Sequence, residues 1–570
     1  MIGLQYSLPA ELDVRVRAAL ARAETDRLVA RIWAGDAAVW TGADEGRWLG
    51  WLTIAESEQR RVAAYLRLRD EVRAEGFTRV LLAGMGGSSL APEVLARTFG
   101  PQAGFPALEV LDSTDPSQIR VACADLRSTL VIIASKSGTT LEPNILMQHL
   151  LARVREADGA AAGRRFIAIT DPGSELAQVA AREGFRATLA GMPSIGGRFS
   201  ALSAFGLVPA ALVGVEVARL LERAAEMSLR CRIDRPVSDN PGAVLGLLLG
   251  EAALAGRDKL TFVVAPGLSS LGAWLEQLIA ESTGKDGKAI VPVDGESPAA
   301  PDRYGTDRVF VQLRLSSAPD ADLDRAVEAF ARAGHPVVRI DIADRGAVGA
   351  EFFRWEMATA VAGAVLRVNP FDQPDVEAAK QITRQLAADY ETRGALPAAT
   401  PVFDDGAVRL FADRRDAETL AGRAGRRPTL ASWLRAHFVR LRPGDYAALL
   451  AYLPMTVAHA AVLQRMRHRL RDARRVATSV GFGPRYLHST GQAHKGGPNS
   501  GVFLLFTADP AEDVPVPGRR YSFGTIEAAQ AIGDFQALVD RDRRALRAHL
   551  GADAAAGLAA LDAALADALE

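Results

Sequence analysis

The stretch Val80-Leu-Leu-Ala-Gly-Met-Gly-Gly-Ser-Ser-Leu90 joins an apolar run to a glycine- and serine-rich turn and to the start of a second apolar segment. This order is typical of a buried β-strand that leads through a tight turn into a helix. The stretch Phe262-Val-Val-Ala-Pro-Gly-Leu-Ser-Ser-Leu271 has the same order. Two interpretations stay open: a true duplication, or two ordinary strand-to-helix turns that both favour Gly and Ser.

Short apolar runs alternate with helical stretches around both segments. The first group covers 79–83, 108–111, 130–134 and 166–170, and the second covers 260–265, 289–293, 309–315 and 337–342. This alternation indicates parallel sheets covered by helices. The sequence therefore predicts an α/β protein with two doubly wound parallel-sheet domains in tandem. The predicted boundaries are a helical lead-in at 1–70, α/β domains at 71–225 and 226–395, and a mainly helical C-terminal region at 396–570.

Composition excludes several classes of protein. The chain has 570 residues, 49% hydrophobic and 24% charged, so it is long enough for several domains and has no disordered or fibrous bias. With 67 Lys+Arg against 68 Asp+Glu, it has no basic excess for nucleic acid or an anionic membrane. Two cysteines form no disulfide framework. The N-terminus lacks a signal-peptide pattern, and the uncharged stretches 199–215 and 447–464 are interpreted as buried helices, so a cytoplasmic protein is expected.

Two turns are candidate phosphate sites. The first, Gly84 to Ser89, contains Gly87 and Ser88 and opens a helix, where free N–H groups attract an anion; an ordinary tight turn is the alternative. The second, Ser135-Lys-Ser-Gly-Thr-Thr140, adds hydroxyls and a cation before another helix. The alternative is a Ser/Thr turn that only caps the helix, but the density of hydrogen-bond donors favours a phosphate-binding site. Ligands of doubly wound sheets collect at the carboxyl ends of strands, where both turns would lie.

Acid, base and cation candidates follow. Arg198 lies in Ile195-Gly-Gly-Arg-Phe-Ser200, where it could stabilise an oxyanion or be a surface arginine. Gln277 and Glu281 are four residues apart and share a helix face, although a solvated carboxylate would look the same. Gln373, Glu377 and Lys380 form a polar helix face that either lines a cleft or carries a surface salt bridge.

Histidines complete the candidate set. His488 and His494 flank Ser-Thr-Gly-Gln-Ala in a loop rich in Gly and Pro, and loop histidines are better catalytic candidates than those in helical stretches. No metal-ligand motif appears, so neither a metal nor another cofactor is implied.

Taken together, these motifs resemble the glucose-6-phosphate isomerase family. Two stretches are similar to its two signature segments: GGRFSALSAFG from Gly196 and GAVLRVNPFDQPDVEAAK from Gly363. Three more resemble its sugar-phosphate and base segments: GMGGSS, SKSGTT and AESTGKDGKAIVP. RIWAGDAAVW and YLHSTGQAHKGGPN resemble the isomerase half of bifunctional transaldolase/glucose-6-phosphate isomerase proteins. No transaldolase half is present, so association with a separate transaldolase is one expectation.

The resemblance implies a role for each residue. Sugar-phosphate binding is implied for Gly87, Ser88, Ser135, Lys136, Ser137, Thr140, Gln277 and Gln373. Glu281 would be the base that moves a proton between C2 and C1, Arg198 would stabilise the cis-enediolate, and Lys380 with a histidine would open the hexose ring. In the bacterial family the LHSxGQ motif lies between the glutamate and FDQP segments, whereas here it follows Lys380. Either a rearranged connection brings it back to the site, or the neighbouring subunit provides it. His335 lies in the expected interval but lacks the motif, so His488 is preferred.

The resemblance implies sugar-isomerase-type α/β domains, a homodimer with its site near the interface, and reversible interconversion of D-glucose 6-phosphate and D-fructose 6-phosphate in glycolysis and gluconeogenesis. Two alternatives stay open at this point: an isomerase of broader aldose/ketose phosphate specificity, and a non-catalytic sugar-phosphate-binding module. The combination of Glu281 with Arg198 and Lys380 counts against the second, because a sensor needs no base.

Overall fold

Three α/β units and a helical N-terminal segment make up the protein, as described by a computed structural model for residues 3–570. The N-terminal segment contributes one strand and four helices: β1 (Leu4–Ser7), α1 (Ala10–Thr25), α2 (Leu28–Trp33), α3 (Ile54–Gln59) and α4 (Val62–Ala74). Helix was expected in this segment, but β1 was missed. Among residues 3–570, none of the helices has the length and hydropathy of a transmembrane span.

The first unit is a five-stranded parallel sheet in the order β3-β2-β4-β5-β6. Its strands are β2 (Arg79–Gly84), β3 (Ala107–Leu111), β4 (Thr129–Ala134), β5 (Phe166–Thr170) and β6 (Ala187–Ala190), and its helices are α5 (Leu90–Phe99), α6 (Pro116–Ala122), α7 (Leu141–Asp158) and α8 (Glu175–Arg182). Three helices then lead to the second unit: α9 (Ala204–Leu212), α10 (Val217–Arg230) and α11 (Pro241–Leu254).

The second unit has the order β8-β7-β9-β10-β1, in which only β1 is antiparallel. It contains β7 (Lys259–Val264), α12 (Leu271–Thr283), β8 (Val291–Val293), β9 (Arg308–Leu315), α13 (Ala321–Arg332), β10 (Val337–Ile342), α14 (Val348–Leu366) and α15 (Pro374–Arg393). The prediction of an α/β fold with two parallel sheets is thus confirmed.

The C-terminal region corrects the sequence prediction, because it contains a third sheet as well as helices. Its elements are β11 (Phe403–Asp404), β12 (Arg409–Phe411), α16 (Arg414–Ala424), α17 (Leu430–Phe438), β13 (Tyr446–Tyr452), α18 (Val457–Arg474), β14 (Ala477–Phe482), α19 (Gly491–Gly496), β15 (Gly501–Thr507), α20 (Phe523–Val539), β16 (Arg544–His549) and α21 (Ala554–Leu569). The sheet order is β14-β13-β15-β16-β12-β11.

The error has a physical cause. The uncharged stretch 447–464 was interpreted as one buried helix, but β13 ends at Tyr452 and α18 begins only at Val457. Every residue of β13 is buried, and a strand covered on both faces shows no polar–apolar alternation that would distinguish it from a buried helix. The other uncharged stretch, 199–215, does contain the buried helix α9.

The strand order is the same in all three units. Each unit has a run of four consecutive parallel strands, which begins at β2, β7 or β13. The second strand of the run lies at one edge of the sheet, next to the first, and the third and fourth follow on the other side of the first. In the second and third units the fifth position is taken by an antiparallel strand from earlier in the chain, β1 or β12. The internal repetition suggested by the sequence of the first two units therefore exists at the level of topology and extends to a third.

A row of glycines lies where α11, which leads into the second unit, packs against α14. Gly242, Gly246 and Gly250 follow one another at helical spacing on α11 and face α14. A Cβ atom on any of them would lie within 2.7 Å of an α14 atom. Because real Cβ contacts are longer, the two helices pack this closely only with glycine along this row.

A buried ion pair stabilises the third unit, and its removal is the first testable prediction. Lys495 on α19 pairs with Asp534 on α20, and both side chains are 0% exposed. We expect Lys495→Met to lower the free energy of unfolding by about 3–5 kcal/mol, since it leaves a carboxylate buried without its counter-ion.

Urea unfolding followed by circular dichroism measures this effect. Arg325→Met is the matched control, because Arg325 pairs with Asp322 at an exposed position and should change stability by less than about 0.5 kcal/mol. Equal midpoints for the two variants would contradict the prediction.

Candidate active site

One cavity of about 480 Å³ lies among turns of the first unit, helices α12 and α15, and the turn that carries His488. It is lined by all twelve residues that the sequence analysis selected, which are Gly87, Ser88, Ser135, Lys136, Ser137, Thr140, Arg198, Gln277, Glu281, Gln373, Lys380 and His488. They come from six separate parts of the chain.

The first candidate phosphate turn, Gly86–Ser88, is a single 3₁₀ turn directly after β2. Gly86 has a φ of +56°, which favours glycine. A Cβ on Gly87 would lie 1.9 Å from the carbonyl oxygen of Gly197, so the turn can approach the Arg198 segment only without a side chain there. The two glycines bring the backbone of the first unit against the rest of the cavity.

The second turn, Ser135 to Thr140, follows β4, the neighbour of β2, so both turns lie at the same edge of the sheet. Ser135 Oγ accepts a hydrogen bond from Gly138 N–H at 3.2 Å, and the hydroxyls of Ser137 and Thr139 are 2.9 Å apart. No side chain caps the N-terminus of the 18-residue helix α7 that begins after Thr140. Hydroxyls and helix N–H groups are the donors that a phosphate requires.

Lys136 is held within this region by an acidic partner. Its ammonium group pairs with Asp171 and lies 3.4 Å and 3.3 Å from the carbonyl oxygens of Met192 and Pro193. These contacts place a cation on the wall of the cavity while partly neutralising its charge.

Arg198 is almost fully buried, 2% exposed, and joins three segments of the chain. Its guanidinium donates hydrogen bonds to Ser282 Oγ at 2.8 Å, Gln373 Oε1 at 2.9 Å and the carbonyl oxygens of Pro370 and Asp372 at 2.7 Å and 2.9 Å. Burial lowers the pKa of Arg198 from its usual value. The guanidinium is still a fixed cation at neutral pH, because arginine starts from a very high pKa.

Glu281 lies in the last turn of α12, within reach of two polar partners. Gln277 Nε2 donates to Glu281 Oε2 at 3.1 Å, and Arg198 Nη1 lies 3.6 Å from the same oxygen. The spacing of four residues puts Gln277 and Glu281 on one helix face, as predicted. Together the two partners orient a buried carboxylate towards the cavity.

Lys285, which the sequence analysis did not select, lies behind these groups. It is buried, pairs with Asp372 at 2.8 Å, and also donates to the carbonyl oxygen of Asn369. Burial, and then the nearby Arg198 charge, lower the pKa of Lys285 to about 7. It is not part of the cavity lining, so its contacts support the segment 369–372 that receives Arg198.

Lys380 and Gln373 belong to α15 and its N-terminus. Lys380 Nζ lies 3.9 Å from Glu377, and its side chain is 29% exposed, so the ammonium is available at the cavity wall. Gln373 is the residue before the helix and accepts the bond from Arg198. The polar face predicted for this helix therefore lines a cleft, and Glu377 lines it too.

His488 ends the 3₁₀ turn Arg485–His488 between β14 and α19 and reaches the first unit. Its Nε2 lies 3.3 Å from Glu142 Oε1, which also accepts a 2.7 Å hydrogen bond from Gln530. Burial raises the pKa of Glu142, but the contacts with His488, a backbone hydrogen bond and the charge of Lys380 together lower it more, so the Glu142 pKa lies below its usual value.

Glu142 and Gln530 were missed from the sequence. Glu142 had a local signal, because it is a carboxylate in the first turn of the helix that follows the second phosphate turn. Gln530 had none, since it lies within α20, whose approach to the cavity depends on the third unit.

The other histidine candidates lie elsewhere. His494 is buried against Tyr446, with Nδ1 3.0 Å from the phenol oxygen, and His335 packs among Tyr304, Phe310 and Phe330. Of the eight histidines, all within the described part of the chain, only His488 lines the cavity.

Comparison with known proteins identifies the family. Residues 72–298 match the phosphoglucose isomerase family model. The glucose-6-phosphate isomerase of Rubrobacter xylanophilus is 31% identical over 380 residues, covering 57% of this chain and 86% of that protein. The chain belongs to the glucose-6-phosphate isomerase family. Glucose-6-phosphate isomerase of Thermosynechococcus vestitus is also 31% identical, over 58% of this chain and 70% of its own length.

Solved structures agree with this family assignment at the level of the fold. A hypothetical protein from Thermus thermophilus matches with a TM-score of 0.59 and 27% identity, covering 67% of this chain and 99% of that one. A Chlamydia trachomatis glucose-6-phosphate isomerase matches with a TM-score of 0.57 and 20% identity, covering 69% of this chain and 91% of that one.

The close approach at Gly87 gives the second prediction. We expect Gly87→Ala to reduce turnover of fructose 6-phosphate at least about 100-fold, because the new Cβ must displace the Arg198 segment and misplaces the groups around the cavity. Steady-state kinetics measure the loss. Gly422→Ala on α16 is the matched control, since a Cβ there meets nothing within 4 Å; unchanged turnover in Gly87→Ala would contradict the argument.

Proposed function

We propose that this enzyme, an aldose–ketose isomerase of the glucose-6-phosphate isomerase family, interconverts D-glucose 6-phosphate and D-fructose 6-phosphate in the cavity described above. The observation that carries the proposal is the position of Glu281, a carboxylate on the cavity wall within 3.6 Å of the Arg198 guanidinium. A base beside a fixed cation is what proton transfer through an enediolate requires.

The phosphate of the substrate would occupy the two turns of the first unit. The hydroxyls of Ser88, Ser135, Ser137 and Thr140, with the Lys136 ammonium and the backbone at Gly87, would surround it. Binding the phosphate, which does not react, at one end of the cavity would hold C1 and C2 of the sugar against α12.

Glu281 would remove the C2 proton of the open-chain aldose and return it to C1, while the hydroxyl proton passes from O2 to O1. Negative charge develops on oxygen in the intermediate, and Arg198 would stabilise it without reorganisation, because its hydrogen bonds already fix the guanidinium. Gln277 would hold the Glu281 carboxylate in place.

Ring opening would use His488 and Lys380. The ring oxygen must gain a proton and the anomeric hydroxyl must lose one, which needs a donor and an acceptor on either side of the sugar. Glu142 would orient the His488 ring, since its Oε1 lies 3.3 Å from Nε2. Lys380 supplies a partly exposed ammonium on another wall.

Several expectations from the sequence remain proposals. The family resemblance supports a homodimer, and the alternation of apolar runs and helical stretches supports the predicted α/β domains at 71–225 and 226–395. The two free cysteines, Cys123 and Cys231, support a reducing, cytoplasmic location. Association with a separate transaldolase rests on the N- and C-terminal motifs, and co-purification of the two proteins would test it.

The base assignment yields a third prediction. We expect Glu281→Gln to lower kcat for fructose 6-phosphate by a factor of at least about 10² to 10⁴, while the substrate still raises the melting temperature, because the amide cannot accept the proton but the phosphate turns are intact. A coupled assay and thermal unfolding measure the two effects.

Glu276→Gln is the matched control on the same helix. Burial, and then the charge of Asp294, raise the pKa of Glu276 to about 8, and the amide of glutamine has the same size and shape as the carboxyl group. It faces away from the cavity. If Glu281→Gln kept the activity of this control, the base assignment would be wrong.

A fourth prediction separates ring opening from proton transfer. We expect His488→Ala to slow turnover of fructose 6-phosphate far more than it slows C2-proton exchange in a four-carbon aldose 4-phosphate, which has no free hydroxyl for a five-membered ring. Exchange in D₂O followed by NMR provides the second rate. His459→Ala, on α18 outside the cavity lining, is the control; equal losses on both substrates would exclude a ring-opening role.

A further inference from the structure

The second and third units repeat one architecture but carry different parts of the cavity. In the second unit, α12 connects the first and second strands and bears Glu281. The corresponding helix of the third unit, α18, contributes nothing to the cavity lining. Conversely, the β14–β15 connection of the third unit bears His488, whereas the corresponding β8–β9 connection, residues 294–307, contains no histidine.

Equivalent elements of the two units also meet each other. The edge strands β8 and β14, each the second strand of its unit, lie side by side, and Val291 and Val293 share an apolar core with Ala477 and Phe503. Contact between the same element of two copies is characteristic of an isologous interface, such as that of a two-fold symmetric dimer. The third unit thus sits on the second as a symmetric partner would.

Buried polar contacts hold the third unit in this position. Arg467 on α18, 1% exposed, donates to the carbonyl oxygen of Asp294 at 2.8 Å, and Thr478 on β14 donates to Glu296 at 2.5 Å. Arg308 pairs with the same Glu296 at 3.2 Å, with both side chains 0% exposed.

Hydrogen bonds connect α19, which follows the His488 turn, to helices α12 and α15. Gln492, 0% exposed, accepts hydrogen bonds from the N–H groups of Asp375 and Val376 at the start of α15, at 3.0 Å and 3.1 Å. Its amide donates to the carbonyl oxygen of Gly284, directly after α12, at 2.9 Å. A Cβ on Gly284 would lie 2.3 Å from Ala493 Cα, so the two segments are in direct backbone contact.

We propose that the third unit takes the place of a neighbouring subunit, so that Glu281 and His488 of one and the same chain form each site. This inference rests on the proposed function for the roles of the two residues. It adds that any oligomer formed by the protein does not share its catalytic residues between chains, and that each chain holds one complete site.

Complementation between two inactive variants tests the proposal. Glu281→Gln and His488→Ala chains with different affinity tags are co-expressed, and the mixed assembly is isolated by purification on both tags in sequence. If each site uses one chain, the mixed assembly has only the mean activity of the two variants on fructose 6-phosphate. If sites are shared between chains, half of those in a mixed dimer are intact, and activity rises to about half that of the wild type.

Controls separate failure of this proposal from failure of the proposed function. The wild-type chain carrying both tags must be active and each single variant impaired; an inactive wild type or fully active variants would overturn the function or the roles themselves. If no mixed assembly forms, the wild-type protein is tested by itself. The proposal is supported if sedimentation shows a monomer and the activity is proportional to protein concentration. Activity that vanishes on dissociation overturns it. His488→Asn replaces His488→Ala if the latter unfolds.

Discussion

The buried guanidinium of Arg198 is the constraint on which the site depends. An arginine removed from water must have its donors satisfied, and this one donates to Ser282, Gln373 and the carbonyl oxygens of residues 370 and 372. Its partners lie on α12 and in the stretch 370–373 before α15, and Arg198 itself lies in the turn after β6, so satisfying one side chain fixes these three segments relative to one another. Glu281 then lies beside a cation whose position is already determined.

The same reasoning explains why small residues surround the site. The Gly86–Ser88 turn packs its backbone directly against the backbone of Gly197, and Gly284 packs against Ala493. In both places a side chain would separate segments that carry functional groups. Preorganisation here comes from backbone contact and saturated hydrogen bonds, which cost nothing further when charge develops during reaction.

The topology also accounts for the displaced histidine motif. A histidine that follows the α15 segment in sequence can lie opposite α7 only if the chain returns to the first unit after building another sheet. The third unit does this: α20 brings Gln530 to Glu142, and Arg485 pairs with Glu93 and Asp112 of the first unit. The third unit therefore brings both the His488 turn and Gln530 to the cavity.

Sequence alone determined the local elements and the kinds of group in the site. The runs at 166–170 and 337–342 became β5 and β10 with the predicted ends, and the spacing of Gln277 and Glu281 placed them on one helix face, because strand and helix periods are local properties. Tertiary structure alone decided that β13 is a strand, that β1 joins the second sheet, that Lys285 supports the site, and that His488, which the sequence motif already favoured, lies against Glu142 of the same chain. These outcomes depend on burial from both sides and on contacts such as His488–Glu142, which join residues more than 300 positions apart, and no local pattern encodes them.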